Sequence, residues 1–244
     1  MNDFYYDLHI HSCLSPCADN DNTPNNLAGI AALCELDIIA LTDHNSTKNC
    51  PAFFAAAEKY DIVAIAGMEL TTSEDIHVIC LFEHLSDAIA FGDEIEKRRL
   101  LIKNKPNVFG EQLILDAEDN VIGTEEYLLS NATEISIEDV PDLVSEFGGI
   151  SYPAHIDRMS NGIITILGAF PPTPKFDCVE FHSRDKIDSY LNEYAIKDKR
   201  QIISSDAHYL TDLRDKENYF TLNAEKGDCA AVRRELFRLL GKEK

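Results

Sequence analysis

Two histidines two residues apart, His9 and His11, lie in Asp7-Leu8-His9-Ile10-His11-Ser12 near the N-terminus. Side chains alternate along an extended segment, so imidazoles at this spacing share a face and can converge on one point. An isolated pair would also fit two hydrogen-bonded strand histidines, but later segments repeat the theme. Thr42-Asp43-His44-Asn45, Gly67-Met68-Glu69, Pro153-Ala154-His155, Phe181-His182 and Asp206-Ala207-His208 each close an apolar run, while His77 lies near the start of one. Six of the eight histidines therefore fall at strand ends, which random placement would not produce. Imidazole and carboxylate donors together suit zinc, manganese or iron better than calcium or magnesium, which prefer oxygen. The set exceeds what one ion can use, and implies two or three ions bridged by a carboxylate, with Glu69 as the bridge.

These residues must be gathered by the elements between them. Thr23-Pro24 reads as an N-cap with proline at the first helical position, followed by Leu27, Ile30, Ala31 and Cys34 at helical spacing. Buried-type strands follow at 38–41 and 62–66, separated by an alanine-rich helix over 52–60. This alternation predicts a parallel sheet covered by helices. A further strand is expected at 76–82. From 85 to 145 the pattern breaks into a charged helix, a hairpin around Glu118-Asp119-Asn120 and more helix up to Gly148-Gly149. The alternation then resumes, with strands ending at His155, His182 and Asp206, and a basic amphipathic helix over 230–240. The domain reading is a barrel formed by 1–84 and 146–244, with 85–145 an α+β insertion that covers the site. In an α/β barrel the carboxyl ends of the strands meet at one rim, where the chemistry resides.

The 244 residues carry 22 Lys and Arg against 43 Asp and Glu, a formal net charge of −21. Such a surface repels polyanions and membranes, so no long nucleic-acid groove is expected, whereas a small phosphorylated substrate is compatible. The seven cysteines form no CxxC pair, the opening Met1-Asn2-Asp3-Phe4 lacks a leader pattern, and no apolar run approaches a membrane span. These features predict free thiols in a reducing, cytoplasmic compartment. Oligomeric state, native metal and pathway leave no mark in the sequence.

Taken in order, the motifs at 7–12, 42–45, 67–69, 76–78, 153–155 and 205–208 resemble the series of the PHP (polymerase and histidinol phosphatase) family, and they bracket nearly the whole chain. The resemblance implies a distorted TIM-like (β/α)7 barrel and a trinuclear metal centre that hydrolyses phosphoesters with a metal-activated hydroxide. Carried over by motif, His9, His11, Glu69 and Asp206 would hold one ion, and Glu69, His77 and His155 a second. His44 and His208 would hold a third, together with a residue from the loop after His11. Relatives place His or Asp there, often in a Ser-Asp-Gly stretch, but this chain reads Ser15-Pro16-Cys17-Ala18-Asp19. Cys17 and Asp19 both stay open, with Asp19 the first choice; a thiolate would favour zinc or iron.

Arg158, three residues after His155, matches an arginine that contacts substrate phosphate in the phosphoesterase branch, although Ile156 replaces the usual proline. A planar guanidinium can hold two phosphate oxygens. Arg184 is a second substrate-binding candidate, His182 a pocket-lining one, and His84 is expected to be solvated. Asp7 and Asp43 adjoin ligand histidines and could orient their rings. His208, His182 or water could protonate the leaving group. The expected activity is hydrolysis of small phosphate esters, nucleotides or short oligonucleotides. A histidinol-phosphatase-like monoesterase and a non-catalytic, metal-binding regulatory module are the alternatives. An amidohydrolase would usually supply a bridging lysine, which no strand end provides.

Overall fold

The computed structural model describes residues 1–241. The strands are β1 (Asn2–Ile10), β2 (Ile38–Leu41), β3 (Val63–Thr71), β4 (His77–Phe82), β5 (Leu113–Leu115), β6 (Val121–Thr124), β7 (Gly149–Pro153), β8 (Cys178–Phe181), β9 (Arg200–Ile203) and β10 (Tyr219–Leu222). The helices are α1 (Pro24–Leu33), α2 (Cys50–Glu58), α3 (Leu85–Glu96), α4 (Pro106–Phe109), α5 (Val140–Glu146), α6 (Ile163–Leu167), α7 (Ile187–Glu193) and α8 (Cys229–Leu240). A curled six-stranded sheet has the order β10-β1-β2-β3-β4-β7, β8 and β9 form a parallel pair, and β5 and β6 form a hairpin. The fold is mixed α/β, as the alternation of apolar runs predicts.

The all-parallel expectation is corrected. β1, β2 and β3 are parallel, but β4 runs antiparallel to both β3 and β7, and β10, which the sequence pattern does not announce, pairs antiparallel with β1. This reversal accounts for His77. In the antiparallel register Thr71 faces His77, so the start of β4 lies at the same rim as the end of β3. A histidine at the front of β4 therefore joins histidines that follow the other strands.

Alternation along the strands divides the apolar residues into two clusters. Ile38, Ala40, Val63, Ile65, Ile79 and Leu81 enter one, against Val232, Leu236 and Leu240 of α8; Ile39, Leu41, Ala64, Ala66, Val78 and Cys80 enter the other, which includes residues of α1, α2, α3 and α5. The spacing of four along α8 places its apolar residues on one face, and Asp228 caps that helix by accepting from the backbone of Ala231 at 3.0 Å. On β1 the parity changes. Phe4, Tyr6 and Leu8 join the α8-side cluster but Ile10 joins the other, because the β1–β2 register slips between Asp7 and Ile10. A bulge re-aims the side chains beyond it. It lets Leu8 pack inside while His9 and His11 also face the interior.

Between 85 and 145 the two helical ends join the main packing: Ala88, Phe91 and Ile95 of α3 and Val140 and Val144 of α5 lie in the larger cluster. The middle sits on the rim. The backbone of Leu113 donates to Cys13 at 2.9 Å, Asn49 donates to Leu113 at 3.0 Å, and Asn45 donates to Leu129 at 2.7 Å. Among the described residues no helix is long and apolar enough to cross a membrane.

Candidate metal centre

The rim after β1, β2, β3, β7 and β9, with the start of β4, carries a cluster of buried titratable side chains. His9, His11, Glu69 and Asp206 each place a donor atom within 4.8 Å of the others; so do His44, Glu69 and His77, and so do His11, His44 and His208. Glu69 is common to two groups. Its Oε1 lies 2.7 Å from His77 Nδ1, 3.1 Å from His155 Nε2 and 3.4 Å from His9 Nε2, and its Oε2 lies 3.0 Å from His44 Nδ1 and 3.3 Å from His11 Nε2.

The hydrogen bonds behind the rings fix which nitrogens face inward. His9 Nδ1 donates to Glu180 Oε1 at 2.8 Å. His11 Nδ1 donates to Ser15 Oγ at 2.9 Å, and Ser15 passes its own hydrogen to Asp43 at 2.7 Å. His208 Nδ1 donates to the backbone oxygen of Asp206 at 2.9 Å. Each ring therefore presents an Nε2 lone pair, the arrangement that positions metal-ligating histidines. The Nε2 atoms of His9 and His11 stand 3.1 Å apart, and both lie near Asp206 Oδ1, at 3.2 and 3.1 Å. Ligands about 2.1 Å from one ion are roughly 3.0–3.5 Å from each other, which these spacings match.

Unpartnered buried atoms give a second test of fit. His44 Nδ1, His77 Nδ1, His155 Nδ1 and Glu69 Oε2 are buried without a hydrogen-bond partner. Such orphans are costly unless a cation engages them. Electrostatics gives the same sign. Burial opposes charge on His9, but Asp206, Glu180 and Glu69 hold its pKa well above the usual value; burial likewise opposes charge on His44, where Glu69 and Cys17 raise it. Burial would raise Glu69, yet His77, His9 and His44 hold it well below the carboxylate range. For His77 burial prevails, down to about 4. The pocket demands positive charge, and divalent ions fit the donor set.

Backbone strain is concentrated here. His155 has φ of 24° and Asp206 of 53°, a region that non-glycine residues enter at a cost of about 1–3 kcal/mol. Glu180 braces the first by accepting from the backbone of His155 at 3.1 Å and, through its carbonyl, of Ile156 at 2.9 Å. Asp7 braces the second strand end, accepting from the backbone of Ser205 at 3.1 Å. Asp7 thus acts on backbone, including that of His9 at 3.3 Å, rather than on a ring. Burial pushes its carboxyl up to about 6. Asp43 does steer a ring, by way of Ser15.

At the outer edge Arg158 Nη1 donates to Asp206 Oδ2, and its Nη2 lies 3.1 Å from His182 Nδ1. Arg214 Nη2 approaches the same ring at 3.4 Å. Burial, Arg158 and Arg214 together lower the His182 pKa, so the imidazole is neutral between two guanidinium groups.

Two candidates are not brought in. Asp19 is exposed and turns its carboxylate to the backbone of Asp21 at 2.8 Å, while Cys17, also exposed, lies close enough to His44 and His208 for those rings to act on its thiol. Burial of the sulfur opposes ionisation, but those two rings bring the thiol down to about 5. Arg184 donates to Asn218 and lines a separate cleft with Tyr6, Arg200 and Tyr219. His84 is exposed at the N-cap of α3. Glu180, Ser15 and Arg214 escape the sequence reading. Only Glu180 leaves a trace, as a charge inside the apolar run Cys178-Val179-Glu180-Phe181.

A family model described as the PHP domain matches residues 7–109, which include His9, His11, His44, Glu69 and His77. Residues 7–109 thus match the PHP domain, in line with the resemblance of the motif series. His155, Asp206 and His208 lie beyond that match, and the fold brings them to it. Solved structures with a similar fold include a lesion-specific endonuclease, EndoQ, from Pyrococcus furiosus, with a TM-score of 0.64 and 17% identity over 100% of this chain and 57% of that one. The chain thus spans little more than half the endonuclease's length. A Bifidobacterium adolescentis protein described as a metal-dependent phosphoesterase has a TM-score of 0.59 and 17% identity over 96% of both chains. An amidohydrolase from Chromobacterium violaceum, with bound sulfate and no metal, has a TM-score of 0.58 and 20% identity over 88% of this chain and 91% of that one. No curated protein matches the sequence.

Proposed function

We propose that this PHP chain is a metal-dependent phosphoesterase acting on small phosphate esters of the nucleotide type. The observation that carries the reading is the double use of Asp206. Its Oδ1 faces the imidazoles of His9 and His11, and its Oδ2 is paired with Arg158. A cation-seeking cluster and an anion-seeking guanidinium thus share one carboxylate, which is what a site for a phosphoryl group bound to metals requires.

On this reading the pocket holds three ions, of the zinc, manganese or iron class. His9, His11, Glu69 and Asp206 would hold one; Glu69, His77 and His155 a second; His44 and His208 belong to a third. When bound, the ions supply Lewis acidity toward water and the phosphoryl oxygens. Arg158 exchanges its contact with Asp206 for two phosphoryl oxygens, offsetting charge that grows in the transition state. His182 is held neutral between Arg158, whose Nη2 lies 3.1 Å from its Nδ1, and Arg214, whose Nη2 lies 3.5 Å from its Nε2. The leaving-group oxygen would take its proton from water, with His182 lining the pocket where Arg158 and Arg214 hold the ring. Glu180, Ser15 and Asp43 hold the rings of His9 and His11 in orientation.

The same reading treats the six-stranded sheet and the β8–β9 pair as a distorted (β/α)7 barrel. The backbone bonds from Ile156 to Glu180 at 2.9 Å and from His11 to Ala207 at 3.0 Å support closure. Residues 85–145, seated on the rim, then cover the base or sugar of the substrate. The deciding experiment loads purified protein with zinc, manganese or iron and measures phosphate release from mononucleotides, 3′,5′-bisphosphorylated nucleotides, short oligonucleotides, histidinol phosphate and an aryl phosphate. Nucleotide-type esters should be preferred; ion binding without hydrolysis of any of these would defeat the proposal in favour of a regulatory module.

A further inference from the structure

Arg214 meets His182 in a way that leaves its donors unspent. Its Nη2 lies 3.4 Å from His182 Nδ1 and 3.5 Å from Nε2, and a point so nearly equidistant from both nitrogens cannot lie in the ring plane without running into Cε1. The guanidinium nitrogen therefore sits over the imidazole face, where its hydrogens find no lone pair. Arg158 differs: its Nη2 meets Nδ1 at 3.1 Å, and its Nη1 is paired with Asp206. Among the described residues no carboxylate pairs with Arg214. The acids nearby are committed to backbone. Asp212 accepts from His208 at 3.2 Å and Tyr209 at 2.9 Å, and Asp157 accepts from His182 at 2.8 Å and Ser183 at 3.0 Å. These bonds fix the loop that carries the ring, and Leu213, buried in the larger apolar cluster, anchors the half-buried Arg214. A guanidinium held in place, with free donors and a like charge beside it, calls for an anion.

We propose that Arg214 is a specificity-determining residue that binds a second phosphate group of the substrate, so that the preferred esters carry two phosphates on one pentose. This rests on the phosphoesterase reading above and deepens it: Arg158 takes the phosphoryl group that is cut, and Arg214 takes the one that is retained. Both arginines meet at His182 Nδ1, so they serve groups borne on one sugar rather than groups many bonds apart. A phosphate offers the guanidinium two oxygens and brings negative charge between the two arginines.

The test compares kcat/KM of the full, metal-loaded chain on a nucleoside 3′,5′-bisphosphate and on the matching 3′- and 5′-mononucleotides, for wild type and Arg214→Gln. Wild type should prefer the bisphosphate by roughly 10–100-fold, the worth of a charge-assisted hydrogen bond. Arg214→Gln should lose most of that preference, chiefly through a higher KM for the bisphosphate. If Arg214 only holds His182, the variant slows all the substrates by the same factor and the preference survives, which overturns the proposal; a wild type without the preference overturns it as well. Both of those outcomes leave the phosphoesterase reading standing, whereas hydrolysis of none of the esters overturns the two together. Should the variant not fold, wild type decides on the bisphosphate and on an analogue whose retained phosphate is capped as a neutral triester. A loss of similar size on capping supports the proposal, and equal kcat/KM overturns it.

Discussion

Glu180 Oε1 accepts from His9 Nδ1 at 2.8 Å and from the backbone of His155 at 3.1 Å, so one carboxylate on β8 aligns ligand candidates delivered by β1 and β7. Glu180→Gln keeps the shape but replaces a charged acceptor with a neutral amide. The variant should fold, judged by circular dichroism, and bind metal about 10–100-fold more weakly. Unchanged metal affinity would reduce Glu180 to a packing residue.

Arg158 and Arg184 are separated by their surroundings, since only Arg158 touches Asp206. Arg158→Lys preserves charge but loses the two-pronged grip, and should lower kcat/KM by roughly 10–100-fold on the best phosphate ester. Arg184→Lys should leave kcat/KM near wild type. A loss that follows Arg184 instead would move the phosphate to the other cleft.

Gly67 lies on β3 two residues before Glu69, where a Cβ would meet the Cys80 carbonyl oxygen and Thr42 Cγ2 at 2.9 Å. Backbone on one side leaves little room to relax. Gly67→Ala should cost about 1–3 kcal/mol, measured by denaturant unfolding of the metal-free protein. Wild-type stability would show that β3 and β4 can part without loss.

His182 has a folded-state pKa below its unfolded value, so it favours folding in its neutral form. That contribution is complete above the unfolded pKa of about 6.5 and is lost as pH falls through the lowered folded value. The stability difference between wild type and His182→Gln should therefore shrink as pH drops from about 7 into the acid range. A difference that grows on acidification would mean the ring is protonated in place.

Metal removal should destabilise the chain, because Glu69 and Asp206 are buried among histidines whose inward nitrogens then lack a cation. Zinc at about a hundredfold above its dissociation constant should add ~2.7 kcal/mol per independent site. A melting temperature insensitive to chelator would argue that protonated histidines suffice.

The spacing of donors was legible without coordinates. His9-Ile10-His11, His44 after β2, Glu69 in β3 and Asp206-Ala207-His208 after β9 each follow an apolar run, and burial of those runs forces their ends to one rim. Helix α1 was equally open, since Thr23 and Pro24 are local signals that need no partner. Local pattern carries no strand direction, however, so the antiparallel course of β4, and with it the reason His77 starts a strand, emerged only from pairing. The β1 bulge that turns His9 and His11 inward depends on register with β2. Which arginine of Arg158 and Arg184 meets Asp206, and which way Asp19 turns, likewise emerged only from the fold. The two arginines are both chemically competent, and only contacts between segments distant in sequence distinguish them.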